Sequence, residues 1–159
     1  QFFDHVNHDI LMARIAKVIR DKRVLKLIGR FLRRGMMMEG VVVSSEKGTP
    51  QGGPLSPLLS NIYLNELDQE LEKRKHAFCR YADDCNIYVA SQAAAKRVLE
   101  SVRRWIEKEL RLEINIHKSD VGQVWERKFL GFQFNEELQI EAAPKSLERF
   151  KNEGKAARV

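Results

Sequence analysis

Cysteine is nearly absent from this chain: Cys79 and Cys85 are the two in 159 residues. Two thiols are too few for a disulfide scaffold or a four-ligand zinc cluster, so a reducing, intracellular setting is expected. No apolar run approaches the roughly 18 residues that a membrane-spanning helix needs, so a membrane protein is not expected. No basic-then-apolar leader marks the chain for secretion. Internal repeats and low-complexity tracts are missing as well. The four histidines, His5, His8, His76 and His117, are too scattered to read as a metal cluster.

What is present reads as an ordinary globular domain. Hydrophobic residues make up 43% and charged residues 31%, and a chain this long buries roughly two-thirds of its unfolded surface. Lys and Arg number 28 against 22 Asp and Glu, a formal charge of +6, with a pI near 9.4. A basic excess on a small domain favours an acidic partner, nucleic acid first, although a solvated positive surface has the same composition. The chain opens on Gln1 rather than Met and stops at Val159 inside a basic, helix-like stretch. The expectation is a piece of a longer protein.

Periodicity divides the chain into short elements. Asn7 or Asp9 can cap a helix with Ile10, Leu11, Ile15, Val18 and Ile19 inward. Asp21 can start a second, with Leu25, Ile28, Phe31 and Leu32 inward, Gly35 as a stop, and Lys22, Arg23, Lys26, Arg30, Arg33 and Arg34 on the other face. Met36 to Val43 reads as extended chain turning at Gly40, with Met36 to Met38 as adaptable packing. After a breaker-rich loop, Leu55 to about Lys75 is a long helix burying Leu58, Leu59, Ile62, Leu67 and Leu71. Ala77 to Tyr81 and Cys85 to Val89 form strands around a tight turn, and the cysteines on its two arms are expected to pack. Ser91 to Leu110 is amphipathic through Val98, Leu99, Val102 and Ile106, with Trp105 half-buried. Leu112 to Ile116, Phe129 to Phe134 and Leu138 to Ala142 are short strands. Trp125 falls in a loop-like stretch, and Pro144 opens a last helix. The order implies an α+β fold, helices backing a mostly antiparallel sheet.

Two segments carry chemistry. In Tyr81-Ala82-Asp83-Asp84, apolar strand flanks place adjacent carboxylates at a hairpin tip, where they repel each other. A hard divalent cation relieves that repulsion, since Mg²⁺ accepts one or two protein carboxylates together with phosphate oxygens. Asp is also favoured in turns for purely conformational reasons. The second segment, Gly48-Thr-Pro-Gln-Gly-Gly-Pro-Leu-Ser-Pro57, opens into the long helix. Its glycines permit close backbone approach and the helix start offers N–H groups to phosphate, yet a plain connector has the same composition. It lacks the Gly-Lys-Ser/Thr ending of a P-loop.

Together, in this order, Gly48 to Asp68 and Arg80 to Val89 closely resemble reverse transcriptases encoded by bacterial group II introns. Phe2 to Asp9 is similar to the end of that family's first palm motif. Asn115 with Lys118-Ser119 resembles the fourth, and Phe129 to Phe134 the strand that grips the primer. The resemblance implies a palm-like antiparallel sheet backed by helices, with part of the fingers, over residues 1–142. Residues 143–159 would then begin a thumb-proximal helix. It implies an RNA-directed DNA polymerase that adds deoxynucleoside triphosphates to a primer 3′-hydroxyl on an RNA template, in the bacterial cytoplasm, with intron RNA as a further partner. By the same resemblance Asp83 and Asp84 would hold two Mg²⁺ ions with a third Asp, and Lys118 would lie near the pyrophosphate. Phe3, Pro50, Gln51, Gly52 and Tyr81 would contact nucleotide or template, and Leu130, Gly131 and Phe132 would grip the primer.

One departure stands out. The family's first metal-binding Asp precedes the Phe-Phe pair, and this chain starts after that position. Asp4 and Asp9 occupy downstream places. The expectation is that the 159 residues alone are inactive and the longer parent active. The alternatives are an RNA-binding maturase module without polymerase activity, and a reverse transcriptase of retron or CRISPR-linked type.

Overall fold

The computed structural model describes residues 6–33, 36–38, 41–43 and 55–156. Two compact units divide the chain, Gln1–Ser119 and Asp120–Val159.

Among the described residues the first unit carries four α-helices. Helix α1, His8–Val18, begins at Asn7, whose Oδ1 accepts the Ile10 N–H at 3.0 Å. That bond satisfies one of the donors a helix start leaves open. Leu11 and Ile15, four apart, are buried. Val18 continues the same stripe but is 84% exposed: it is the last helical residue, and no described element covers it. Helix α2, Lys22–Leu32, starts at Asp21, whose side chain accepts the Arg23 N–H. Leu32 is buried, with Leu25, Ile28 and Phe31 packed half-buried on the core. Strands β1, Met36–Met38, and β2, Val41–Val43, pair antiparallel. Gly35, Gly40 and the Gly48–Pro54 loop fall outside the described residues.

Helix α3, Ser56–Lys73, is the core element. Leu59, Tyr63, Leu67 and Leu71 recur every four residues and are all buried, joined by Ser60 and Leu64. Leu58, expected inward, is 56% exposed. At 3.6 residues per turn it projects nearly opposite that stripe, so the apolar run there is longer than the buried face. The helix ends in a Schellman arrangement. His76 N–H reaches the Leu71 carbonyl at 3.0 Å, and Lys75 N–H reaches that of Glu72 at 2.8 Å. Lys75 adopts φ 59° to allow it.

Arg14 binds α1 to α3. Its side chain is nearly buried, donating to the Tyr63 carbonyl at 2.5 Å and to Glu66 Oε2 at 2.6 Å. Its guanidinium carbon lies 4.5 Å from the Tyr63 ring centre. The Tyr63 hydroxyl in turn donates to the Leu110 carbonyl at 2.6 Å, and burial raises that phenol's pKa.

Strands β3, Ala77–Tyr81, and β4, Asp84–Tyr88, form a hairpin whose register runs from Ala77↔Tyr88 to Tyr81↔Asp84. Helix α4, Gln92–Trp105, is capped by Ser91 Oγ and buries Val102. Expected to run on to Leu110, it instead widens into a π-helical turn, Ile106–Leu110, that ends at Arg111 with φ 52°. Trp105 is half-buried. Residues 112–116 are not a strand. Leu112 is buried and Ile116 exposed; their alternation mimics strand periodicity, but no described chain pairs with them.

In the second unit, a 3₁₀ turn, Val124–Glu126, precedes β5, Lys128–Phe129, β6, Phe132–Phe134, and β7, Ile140–Ala142. These form an antiparallel sheet in that order. The expected single strand 129–134 is thus a tight hairpin turning at Leu130 and Gly131. Both have positive φ, 53° and 84°, the sign pattern of a type I′ turn. Helix α5, Pro144–Ala156, follows. The α+β order is borne out, and every strand pair described is antiparallel, in three small separate sheets.

Candidate active site

The β3–β4 hairpin places the acidic pair. Side chains alternate across a strand, and the hairpin has one covered face and one open one. Phe78, Cys85 and Ile87 pack on the core, while Cys79 is exposed. Both arms had been expected to pack; only Cys85 does. Burial pushes its thiol up to about 11.

Tyr81 and Asp84 are the closing pair of the ladder, so Ala82 and Asp83 alone make the turn. The two carboxylates therefore do not both sit in the turn: Asp83 does, and Asp84 is the first residue of β4. Ala82 holds φ 52°, a left-handed conformation that costs a non-glycine residue about 1 kcal/mol or more. Asp83 and Asp84 are exposed and Tyr81 is 62% exposed. Among the described residues neither carboxylate has an ion-pair or hydrogen-bond partner. The open face of the tip thus carries a phenol and two uncompensated oxygen-donor groups within four residues.

Arg80, three residues before Asp83, makes no ion pair with either carboxylate and is engaged elsewhere. It shares the covered face with Phe78, opposite Cys85, and its side chain is 11% exposed. A guanidinium there needs a counter-charge, and α3 supplies one. Nε donates to Asp68 Oδ1 at 2.6 Å and Nη2 to Asp68 Oδ2 at 2.5 Å, a bidentate fork. Nη1 donates to Asn61 Oδ1 at 3.0 Å and to the Ala82 carbonyl at 2.7 Å. The Asp68 hydrogen bonds raise the Arg80 pKa further, against the opposing effect of burial. Arg80, Asp68 and Asn61 were not singled out from the sequence. The signal was available: strand alternation puts Arg80 on the apolar face, where an arginine cannot sit alone.

Lys118 occupies a separate element of the first unit, an exposed turn organised by Asn115. The Asn115 side chain accepts the His117 N–H at 3.1 Å, and its carbonyl accepts those of Lys118 and Ser119. Lys118 has no ion pair among the described residues. Leu130, Gly131 and Phe132 lie in the second unit, at the turn between β5 and β6, with Leu130 and Phe132 exposed. Phe3, Pro50, Gln51 and Gly52 fall outside the described residues. Tyr81, Asp83 and Asp84 are the site residues brought together on one hairpin.

A divalent cation is compatible with this donor set. Two adjacent carboxylates without competing cations are what Mg²⁺ takes from protein, with phosphate oxygens and water completing its shell. Among the described residues no third His, Cys, Asp or Glu joins them in a ready-made cluster.

The chain is similar to known proteins. Residues 1–134 match the family described as reverse transcriptase (RNA-dependent DNA polymerase). Protein YkfC of Escherichia coli K12 is 31% identical over 77% of this chain and 41% of its own length. The group II intron-encoded protein LtrA of Lactococcus lactis subsp. cremoris is 42% identical over 49% of this chain and 13% of its own length. An uncharacterized 91 kDa protein in the cob intron of Schizosaccharomyces pombe is 41% identical over 48% of this chain and 9% of its own length. The chain spans less than half the length of each of these relatives.

Proposed function

The chain belongs to the reverse transcriptase (RNA-dependent DNA polymerase) family, of the group II intron-encoded kind, and from that premise we propose that its parent protein copies RNA into DNA at the β3–β4 hairpin. Membership implies nucleic-acid substrates and a divalent-metal chemistry. The finer reading is a primer 3′-hydroxyl attacking a deoxynucleoside triphosphate opposite an RNA template, with Mg²⁺ as the metal. Intron RNA is an added partner, and the setting is the bacterial cytoplasm. No described helix is long and apolar enough to cross a membrane.

The observation that carries the reading is the open hairpin tip, with Asp83 and Asp84 exposed and unpaired while Arg80 is held by α3. When bound, the metal supplies charge stabilisation at the phosphates and acidifies the attacking hydroxyl. Asp83 and Asp84 hold it, and Tyr81 on the same face offers a ring and hydroxyl to the substrate. Lys118 is read as the cation facing the pyrophosphate. Phe3, Pro50, Gln51 and Gly52 are read as nucleotide and template contacts, and Leu130, Gly131 and Phe132 as the primer grip. In this reading residues 1–142 are palm and partial fingers, and 143–159 lead toward a thumb.

Asp83→Asn in the complete polymerase tests the proposal. Primer extension is expected to fall on the order of a thousandfold or more, because several kcal/mol of charge stabilisation depends on the metal. The circular dichroism spectrum and melting temperature should hold. Near-normal extension by this variant would reject the site. The 159-residue chain alone is expected to extend no primer.

A second reading, RNA binding without polymerisation, is favoured by α2. Lys22, Arg23, Lys26 and Arg30 on the helix and Arg33 at its C-cap are all exposed, and the helix itself carries no acidic residue.

A further inference from the structure

We propose that Arg80 is a positioning residue for polymerisation: held by Asp68 and Asn61 of α3, its guanidinium fixes the Ala82–Asp83 peptide and thereby the direction in which the Asp83 carboxylate is presented. The inference rests on the reading of Asp83 as a metal-holding group and adds to it a device that sets its geometry.

The argument begins at the peptide bond. The Ala82 carbonyl and the Asp83 N–H belong to one planar unit. A hydrogen bond of 2.7 Å from Arg80 Nη1 to that oxygen therefore orients the plane from which the Asp83 Cα departs. Ala82 is in the left-handed region at φ 52°, where a non-glycine residue stays only if its surroundings over-determine it. A two-residue turn offers few restraints of its own.

The clamp is rigid at its other end. Both Asp68 oxygens engage the guanidinium in a fork, and Asn61, seven residues earlier on the same helix, takes the remaining face of Nη1. Residues seven apart lie two turns along one side of a helix. The guanidinium is thus held against a stretch of α3 rather than at a single point. That helix is anchored in the core by Leu59, Tyr63, Leu67 and Leu71, so the tip of the hairpin is referenced to the most buried element of its unit.

The same contacts dispose of the charge. Arg80 adjoins Tyr81, the ladder partner of Asp84, and lies three residues before Asp83 in sequence. Asp68 occupies its fork and leaves both carboxylates to a metal. A lysine at this position keeps the positive charge but cannot make a planar fork and reach the carbonyl together.

Arg80→Lys and Asn61→Ala, made separately in the complete polymerase, test the idea beside Asp83→Asn. The readouts are the Mg²⁺ concentration for half-maximal extension, and Mn²⁺ binding to the nucleotide-free protein followed by water-proton relaxation. Arg80→Lys is expected to weaken both by about 10- to 100-fold, the range seen when an outer-shell support of a metal ligand is lost. Asn61→Ala, at an exposed residue that makes one of the four bonds, is expected to weaken both by about 3-fold, as loss of a single modest hydrogen bond would. A role confined to stapling β3 to α3 would lower the melting temperature and leave both metal readouts unchanged; that result overturns the proposal. If Arg80→Lys does not fold, Asn61→Ala decides by the same criterion. If Asp83→Asn extends primers normally, the polymerase reading itself fails; if it is inactive while the two clamp variants bind metal like the wild type, only the clamp fails.

Discussion

At the scale of single residues, the hairpin sets two thiols in opposite situations. Cys79 is on the open face, and Cys85 is packed on the core with its pKa raised to about 11. The thiolate is the reactive form, so iodoacetamide at pH 8 is expected to label Cys79 at least 10-fold faster than Cys85, as followed by peptide mass spectrometry. Protonation is linked to folding as well. A group whose folded pKa lies above its unfolded value stabilises fully below the unfolded value, about 9 for a thiol, and loses that contribution as pH climbs through the folded one. Tyr63, raised above 10.0 by burial, acts in the same direction. Stability is therefore expected to decline between about pH 9 and 11. The Cys85 share is at most about 2 kcal/mol, given its partial exposure. Cys85→Ala should flatten that decline in urea melts; an unchanged slope would show that the thiol is not responsible.

Helix ends are where elements depart from their sequence signals. Lys75 occupies the left-handed position that closes α3, a place glycine fills without steric strain. Lys75→Gly is expected to stabilise the protein by about 0.5–1 kcal/mol, the relief outweighing glycine's greater freedom in the unfolded chain. A urea midpoint that falls would contradict this. Caps with a side-chain acceptor were largely legible: Asp21 stands where its chemistry placed it, Asn7 is the one of the two candidates, Asn7 and Asp9, that caps α1, and Ser91, read as the first residue of its helix, is the cap. So were the hairpin around Ala82 and the stripe Leu59–Leu67–Leu71. Val18 and Leu58 were misread because periodicity reports which side of a helix is apolar, not how far a neighbouring element extends over it. Residues 112–116 were misread for a related reason, since alternation cannot supply the partner a strand requires. The carboxylates of the site were readable from local sequence. Their support was not, because Asp68 and Asn61 reach Arg80 from a different element 12 and 19 residues away.

Over the molecule as a whole, the +6 charge is gathered in part on one helix without acidic residues. If α2 contacts RNA phosphates, each contact contributes roughly 0.7 to 0.9 to the slope of log affinity against log salt. Reversing Lys26 and Arg30, one turn apart on the exposed face, to Glu is expected to lower that slope by about 1 to 2 in filter-binding titrations. The same change should leave the melting temperature near the wild-type value. An unaltered slope would move the RNA-facing surface elsewhere. Retention of this binding by Asp83→Asn would separate the two readings of the protein, since binding depends on α2 and chemistry on the hairpin.

The turn at Leu130 and Gly131 has a mechanical side. The Ala143 N–H bonds the Gly131 carbonyl at 2.8 Å, and a side-chain carbon placed on Gly131 would stand 3.0 Å from Ser146 Oγ in the first turn of α5. A β-carbon here would press on the helix start, and the Ala143 bond ties the loop to the residue before α5, so Leu130 and Phe132 flank a loop that is fastened at that point.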